Sequence, residues 1–219
     1  MTIDERISFI MKKAEGLSAK HPQFSCGKFP PEWKPPLSEK QAAAFEEKNG
    51  IKLPEDYRRF ITTVAGAGTQ PFYGFYGLPT YFPSCQEGDA DVKKPFLYTV
   101  RKPLLIEELS EEEYDRLFEE DELAADAGFL YLCHEGCGMY SILIVNSGDR
   151  ETYGTVWYYD LANDAGILPL LHPDSHRPMC FLDWLEYYVD RTLELDDREF
   201  FSYGQLAGKV TDEQAVSER

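Results

Sequence analysis

Three runs decide how this chain folds: Gly-Phe-Leu-Tyr-Leu-Cys (128–133), Met-Tyr-Ser-Ile-Leu-Ile-Val (139–145) and Gly-Thr-Val-Trp-Tyr-Tyr (154–159). Each is rich in β-branched and aromatic residues, and glycine-containing turns separate them, so each reads as a strand. The gaps are too short for the crossover of a dozen or more residues that parallel strands need, which makes the neighbours antiparallel. The first gap falls within Leu-Cys-His-Glu-Gly-Cys-Gly-Met-Tyr (132–140). There Gly136 and Gly138 supply the backbone angles of a hairpin loop, and Cys133 reads as a small core residue.

Upstream of the strands the apolar period changes to that of helices. Ile3, Ile7, Ile10, Met11, Ala14 and Leu17 fall on one stripe, which predicts an amphipathic helix. Five prolines between 21 and 36 mark an irregular connector. Ser38 with Gln41 forms a capping-box pattern and Gly50 supplies a stop, predicting a helix over about 39–49. Pro54, Glu55 and Asp56 suit a helix start, Tyr57, Phe60, Ile61 and Val64 form its buried stripe, and Gly66 can end it. These two short helices are expected to pack as a pair.

From Gln70 to Leu104 the aromatic, Gly and Pro content predicts strands and long loops. Residues 107–126 hold eleven acids against Arg116 alone, with Ser110 and Glu113 as a capping box, and read as a short acidic helix. Downstream, Phe181, Leu182, Trp184, Leu185, Tyr188, Val189 and Leu193 mark a C-terminal amphipathic helix. Helices, then a meander, then a helix make an α+β fold: one domain over 1–219, with an antiparallel sheet on which the C-terminal helix packs and a loosely held tail over 197–219.

With 219 residues, 43% of them hydrophobic, the chain can bury a sizeable core. No run of eighteen apolar residues predicts a membrane span, and the N-terminus shows no signal-peptide pattern, so a soluble cytoplasmic protein is expected. Five cysteines in such a protein are expected to be reduced thiols. The formal charge of −17 repels nucleic acid, whose phosphates need cationic partners, and attracts basic proteins. The same charge also serves simple solubility.

The chemical candidates are weak. Cys133 and Cys137 match half of a structural zinc pattern, and His172 with His176 match the other half. The halves are far apart, however, and Pro173 keeps the histidines off a helix. Adjacent strand residues point to opposite faces, so Cys133 and His134 do not pair as nucleophile and base. No Gly-rich phosphate loop, Gly-x-Ser-x-Gly elbow or His-Glu-x-x-His sequence occurs. The expectation is therefore no enzyme, no cofactor and no catalytic residue, with a zinc-binding protein using Cys133, Cys137, His172 and His176 as an alternative.

Three stretches in order resemble the SUKH superfamily, which groups fungal cell-wall synthesis regulators of the Smi/Knr type with bacterial immunity proteins. They are Leu-Pro-Glu-Asp-Tyr-Arg-Arg-Phe (53–60), the run from Leu132 through Asn146 continuing to Asp160, and Phe-Leu-Asp-Trp-Leu-Glu (181–186). The resemblance covers about 39–190; Ala65-Gly66-Ala67-Gly68 departs from the usual helix exit, and the acidic segment 107–126 is not a family hallmark. It implies a binding scaffold: an immunity protein that neutralises a cognate toxin, a nuclease or deaminase among the candidates, with a regulatory scaffold of cell-wall synthesis as the alternative. A basic toxin domain is the partner this implies. The expected interface is Glu111, Glu112, Asp115 and Glu119 on the acidic helix, with Tyr73, Tyr76 and Tyr81 as exposed aromatic anchors. A solvated helix and a core-packing loop are the competing readings of the same residues.

Overall fold

The computed structural model describes residues 1–22, 28–81, 90–118 and 126–210, with Phe118 described by its backbone alone. Helix α1 (Ile3–Ala14) opens on a capping box in which the Glu5 N–H donates to Thr2 Oγ1 and the Thr2 N–H donates to Glu5 Oε2. Its stripe of Ile7, Ile10 and Ala14 is buried, and a 3-10 turn continues it to bury Leu17. Strand β1 (Trp33–Lys34) precedes helix α2 (Glu39–Asn49), which has the expected Ser38–Gln41 capping box and ends on Gly50 at φ 67°. Helix α3 (Glu55–Thr63) follows, with Pro54 as its N-cap.

Two details differ from the sequence reading here. Helix α3 stops at Thr63, three residues short of Gly66, and Val64 is only half-buried. The chain leaves the helix early because Ala67–Gly68 (β2) pairs antiparallel with β1, while the Gly66 N–H bonds back to the carbonyls of Lys34 and Pro35. The proline-rich connector thus contributes a strand. Gly68 is required there, since a Cβ would lie 2.6 Å from the Trp33 ring.

The main sheet has five strands in the order β3-β7-β6-β5-β4, all antiparallel: Leu104–Leu105 (β3), Phe129–Gly136 (β4), Met139–Ile144 (β5), Val156–Asp160 (β6) and Gly166–Pro169 (β7). The three expected strands are β4, β5 and β6. The other two, β3 and β7, were not legible because they are short and buried without alternation.

Side chains alternate across the sheet except at the β4 bulge, where Leu132 and Cys133 both face the helical core. Leu130, Leu132, Leu143, Val156 and Tyr158 face a core made with α1, α2, α3 and helix α5 (Phe181–Glu194). Phe129, Tyr131, Ile142, Ile144, Trp157, Tyr159 and Ile167 face the other way. That second face is covered by irregular chain: Phe96 meets Trp157 edge-on at 4.9 Å, and Val100, Leu104 and Ile106 complete the layer. The strands expected between 70 and 104 are absent from its described part before β3, where only the isolated bridges of Asp91 and of Thr99 with Lys102 occur. Side chains and sheet-loop backbone satisfy this segment instead. The Phe96 N–H donates to Asn146 O, Asn146 Nδ2 donates to the Val92 and Lys93 carbonyls, and the Val100 N–H donates to Thr152 Oγ1.

The tail also differs from expectation over its described part. Phe201 and Tyr203 are buried, Tyr203 Oη donates to the Trp184 carbonyl at 2.6 Å, and the Val210 N–H bonds to Val100 O. These aromatic rings fill space that α5 leaves open, which the polar composition of the last twenty residues hid. Residues 211–219 lie outside the described ones.

Candidate partner-binding surface

Helix α4 (Glu111–Phe118) carries the acids expected to meet a partner. Ser110 and Glu113 close its first turn as predicted. Residues 111–116 are exposed, and Leu117 is the half-buried contact that seats the helix on the loop-covered core. Glu112 pairs with Arg116 at 2.8 Å, while Glu111 and Asp115 form no ion pair among the described residues. Glu119 lies outside the described residues.

The three tyrosines separate. Tyr73 is exposed, at 51% of its surface, and its ring stacks on His134 at 5.1 Å. His134 in turn stacks on Tyr140 at 4.7 Å, giving a three-ring ladder beside the β4–β5 hairpin. The Tyr73 N–H donates to the His134 carbonyl and so fixes the loop against β4. His134 Nε2 is buried without a hydrogen-bond partner among the described residues. Tyr76 is buried, because its N–H donates to Leu132 O and its ring joins the loop-side core, so it is not an exposed anchor. Tyr81 is half-buried, its hydroxyl donating to the Gln41 carbonyl at the start of α2. The ladder and α4 border the same core, through Tyr140 and Leu117.

The hairpin that first suggested chemistry is a turn with Cys137 and Gly138 at its two central positions, both at positive φ (51° and 79°). That is the requirement of the tight turn that matches strand twist. Cys137 is exposed there, whereas Cys133 is buried and burial pushes its thiol well above the ordinary range. The zinc alternative is not assembled: no group of three or more His, Cys, Asp or Glu able to hold a metal occurs among the described residues. His172 and His176 lie instead in the turn after β7, where the His176 N–H bonds to the His172 carbonyl.

Glu135 is the functional-looking residue that sequence reasoning missed. A register shift between Tyr131 and Cys133 puts Leu132 and Cys133 on the same face, so that Cys133 and then Glu135 turn into the helical core. There Ser141 Oγ donates to Oε1 at 2.7 Å and the Tyr203 N–H donates to Oε2 at 3.2 Å, while Trp184 Nε1 donates to Ser141 Oγ. Burial raises its pKa to about 7, against the lowering effect of Ser141, Tyr203 and Ser202. Through these bonds Glu135 joins β4, β5, α5 and the tail. Strict alternation along β4 gives no sign of it; the bulge does.

The model of the SMI1 / KNR4 family (SUKH-1) matches residues 36–175, more than half of the chain. The match runs from the start of α2 to the turn after β7 and stops short of α5. No curated protein and no solved structure matches the chain.

Proposed function

The chain belongs to the SMI1/KNR4 family (SUKH-1), and from that premise we propose that it is a non-enzymatic binding protein that neutralises a basic toxin domain. Membership is consistent with an immunity or a regulatory role, and the family is generally non-catalytic. No helix among the described residues is long and apolar enough to cross a membrane.

The observation that carries the proposal is the state of the acids on α4. Glu111 and Asp115 are exposed and without ion pairs on a helix held to the body by one apolar side, in a chain of net charge −17. Such charges add little to the fold. They do steer a cationic partner into contact and raise its rate of association. Tyr73, held rigid by its stack on His134, supplies the kind of aromatic anchor that concentrates binding energy. A nuclease or deaminase domain presents a positive groove to nucleic acid, and an acidic helix can occupy the same groove.

The test is co-expression with a basic nuclease or deaminase toxin domain, the first candidate being any such domain found encoded beside this chain. Restored growth, lost on Glu111→Lys, Glu112→Lys and Asp115→Lys together, is expected. Growth arrest unrelieved by the wild-type chain would overturn the proposal.

A further inference from the structure

The carboxylates of α5 are compensated along its length: Asp183 by Arg6 and Arg177, Glu186 by Arg6 and Lys13, Asp190 by Lys13, Glu194 by Arg191. Beyond its last turn the pattern stops. Asp196, Asp197 and Glu199 form no ion pair among the described residues. Among the described residues their oxygens accept backbone N–H groups alone: those of Arg198 at 3.0 Å, His21 at 3.4 Å and Asp196 at 2.9 Å, respectively. All three line one cleft at the C-terminal end of the helix, whose dipole adds further negative potential there.

The rest of that cleft is aromatic. Phe29 and Phe72, both half-buried, form its walls, and Phe200 stands at its lip with 72% of its surface exposed. Tyr188 and Phe201 are the buried floor. Tyr188 Oη donates to Gln70 Oε1 beneath them. Phe72 holds its place at φ 48°, a conformation that bulky L residues avoid, and packs against Tyr188 and Phe201 at 5.7 and 5.4 Å. Lys20, whose Nζ donates to the Leu195 carbonyl, offsets part of this charge, and Arg198 is exposed and does not line the cleft, so the three carboxylates leave it net negative.

Aromatic faces surrounded by uncompensated carboxylates select a cation with an apolar stem. We infer that this cleft receives an arginine side chain from a protein partner, its methylenes against Leu195 and the rings, its guanidinium over Phe200 or Phe72 and paired with Asp196 or Asp197. Arginine fits better than lysine because a guanidinium is planar, weakly hydrated and stacks on rings. A phosphate-bearing ligand would be repelled. The inference rests on the basic partner proposed above and adds a second contact to it.

The experiment is an NMR titration of the full ¹⁵N-labelled chain with Ac-Gly-Arg-Gly-NH₂ and, separately, with the norleucine analogue. Saturable shifts at the Gln70, Phe72, Thr192 and Phe201 amides are expected for the arginine peptide alone. Affinity should fall about two- to fivefold in Phe200→Ala and in Asp196→Asn/Asp197→Asn, as an exposed cation–π contact and exposed ion pairs imply. Both variants alter exposed or half-exposed positions, and their unshifted spectra elsewhere confirm the fold. No saturable shift, equal shifts with norleucine, or unchanged affinity in the variants would overturn the inference. Arginine binding without growth rescue in co-expression would uphold the cleft and overturn the toxin-neutralising reading; rescue without arginine binding would do the reverse.

Discussion

Helix α5 presents Asp183 to two guanidiniums, Arg6 at 2.8 Å and Arg177 at 2.5 Å, with its side chain 1% exposed. Helix α4 presents Glu111 and Asp115 to water with no ion pair among the described residues. Both helices are acidic and amphipathic in sequence, yet their charges do different work. Those on α5 hold it to α1 and cap its own first turn, where the Cys180 N–H donates to Asp183 Oδ2. On α4, Glu113 caps the first turn and Glu112 pairs with Arg116, but Glu111 and Asp115 form no ion pair among the described residues. The net charge therefore divides into a part that stabilises the chain and a part that stands in solvent, which our proposal assigns to a partner.

The sharpest way to break this division is Asp183→Ala. Removing Asp183 strips Arg177 of its partner, leaves Arg6 with Glu186 alone and uncaps the first turn, and should cost about 3 kcal/mol in urea unfolding. A loss as small as that of a surface substitution would contradict the assignment. Burial alone would raise the Asp183 carboxyl, but Arg177, the Cys180 N–H and Arg6 outweigh it and hold it far below the ordinary carboxylate range. Its contribution is then present above the unfolded pKa of about 3.9 and lost as pH falls through the acid range.

Glu135 should behave in the opposite sense. Its pKa is raised to about 7 in the folded chain, above the unfolded value of about 4.3, so the native state binds more protons between those limits. Stability should fall by about 2–3 kcal/mol as pH rises from about 4.3 to 7. Urea midpoints measured across that window check it, and Glu135→Gln should flatten the slope. A smaller effect is expected at the exposed aromatic. Tyr73→Ala should weaken partner binding by about 1–2 kcal/mol while leaving the unfolding midpoint almost unchanged. A midpoint shift as large as the binding loss would make Tyr73 a packing residue instead.

The sequence makes the helix pair, the meander and α5 legible, because period, capping boxes and turn glycines all agree over Ser38–Gly50, 128–159 and 181–194. It hides what depends on long-range pairing. The β1–β2 ribbon, β7 and the aromatic cover at Phe96 are short or irregular, and their hydrogen bonds come from partners distant in the chain. The site was half legible. Composition points to the acids of α4, but it cannot separate exposed Tyr73 from buried Tyr76, since the loop has no period to say which ring faces the core. Glu135 and the cleft at Phe72 and Phe200 depend on a bulge, a positive φ and the folding back of the tail.

The acids of α4 carry the central claim. Glu111→Lys, Glu112→Lys and Asp115→Lys together should cost about 1–2 kcal/mol of unfolding free energy, because Glu111 and Glu112 sit in the first turn and Glu112 pairs with Arg116, which is still less than the loss of Asp183. The decisive measurement is the association rate of this triple variant with the basic toxin domain, against that of the wild-type chain at low and high salt. The account predicts a rate for the variant at least tenfold lower at low salt, with the difference collapsing at high salt. Equal rates for the two proteins at low salt would contradict it.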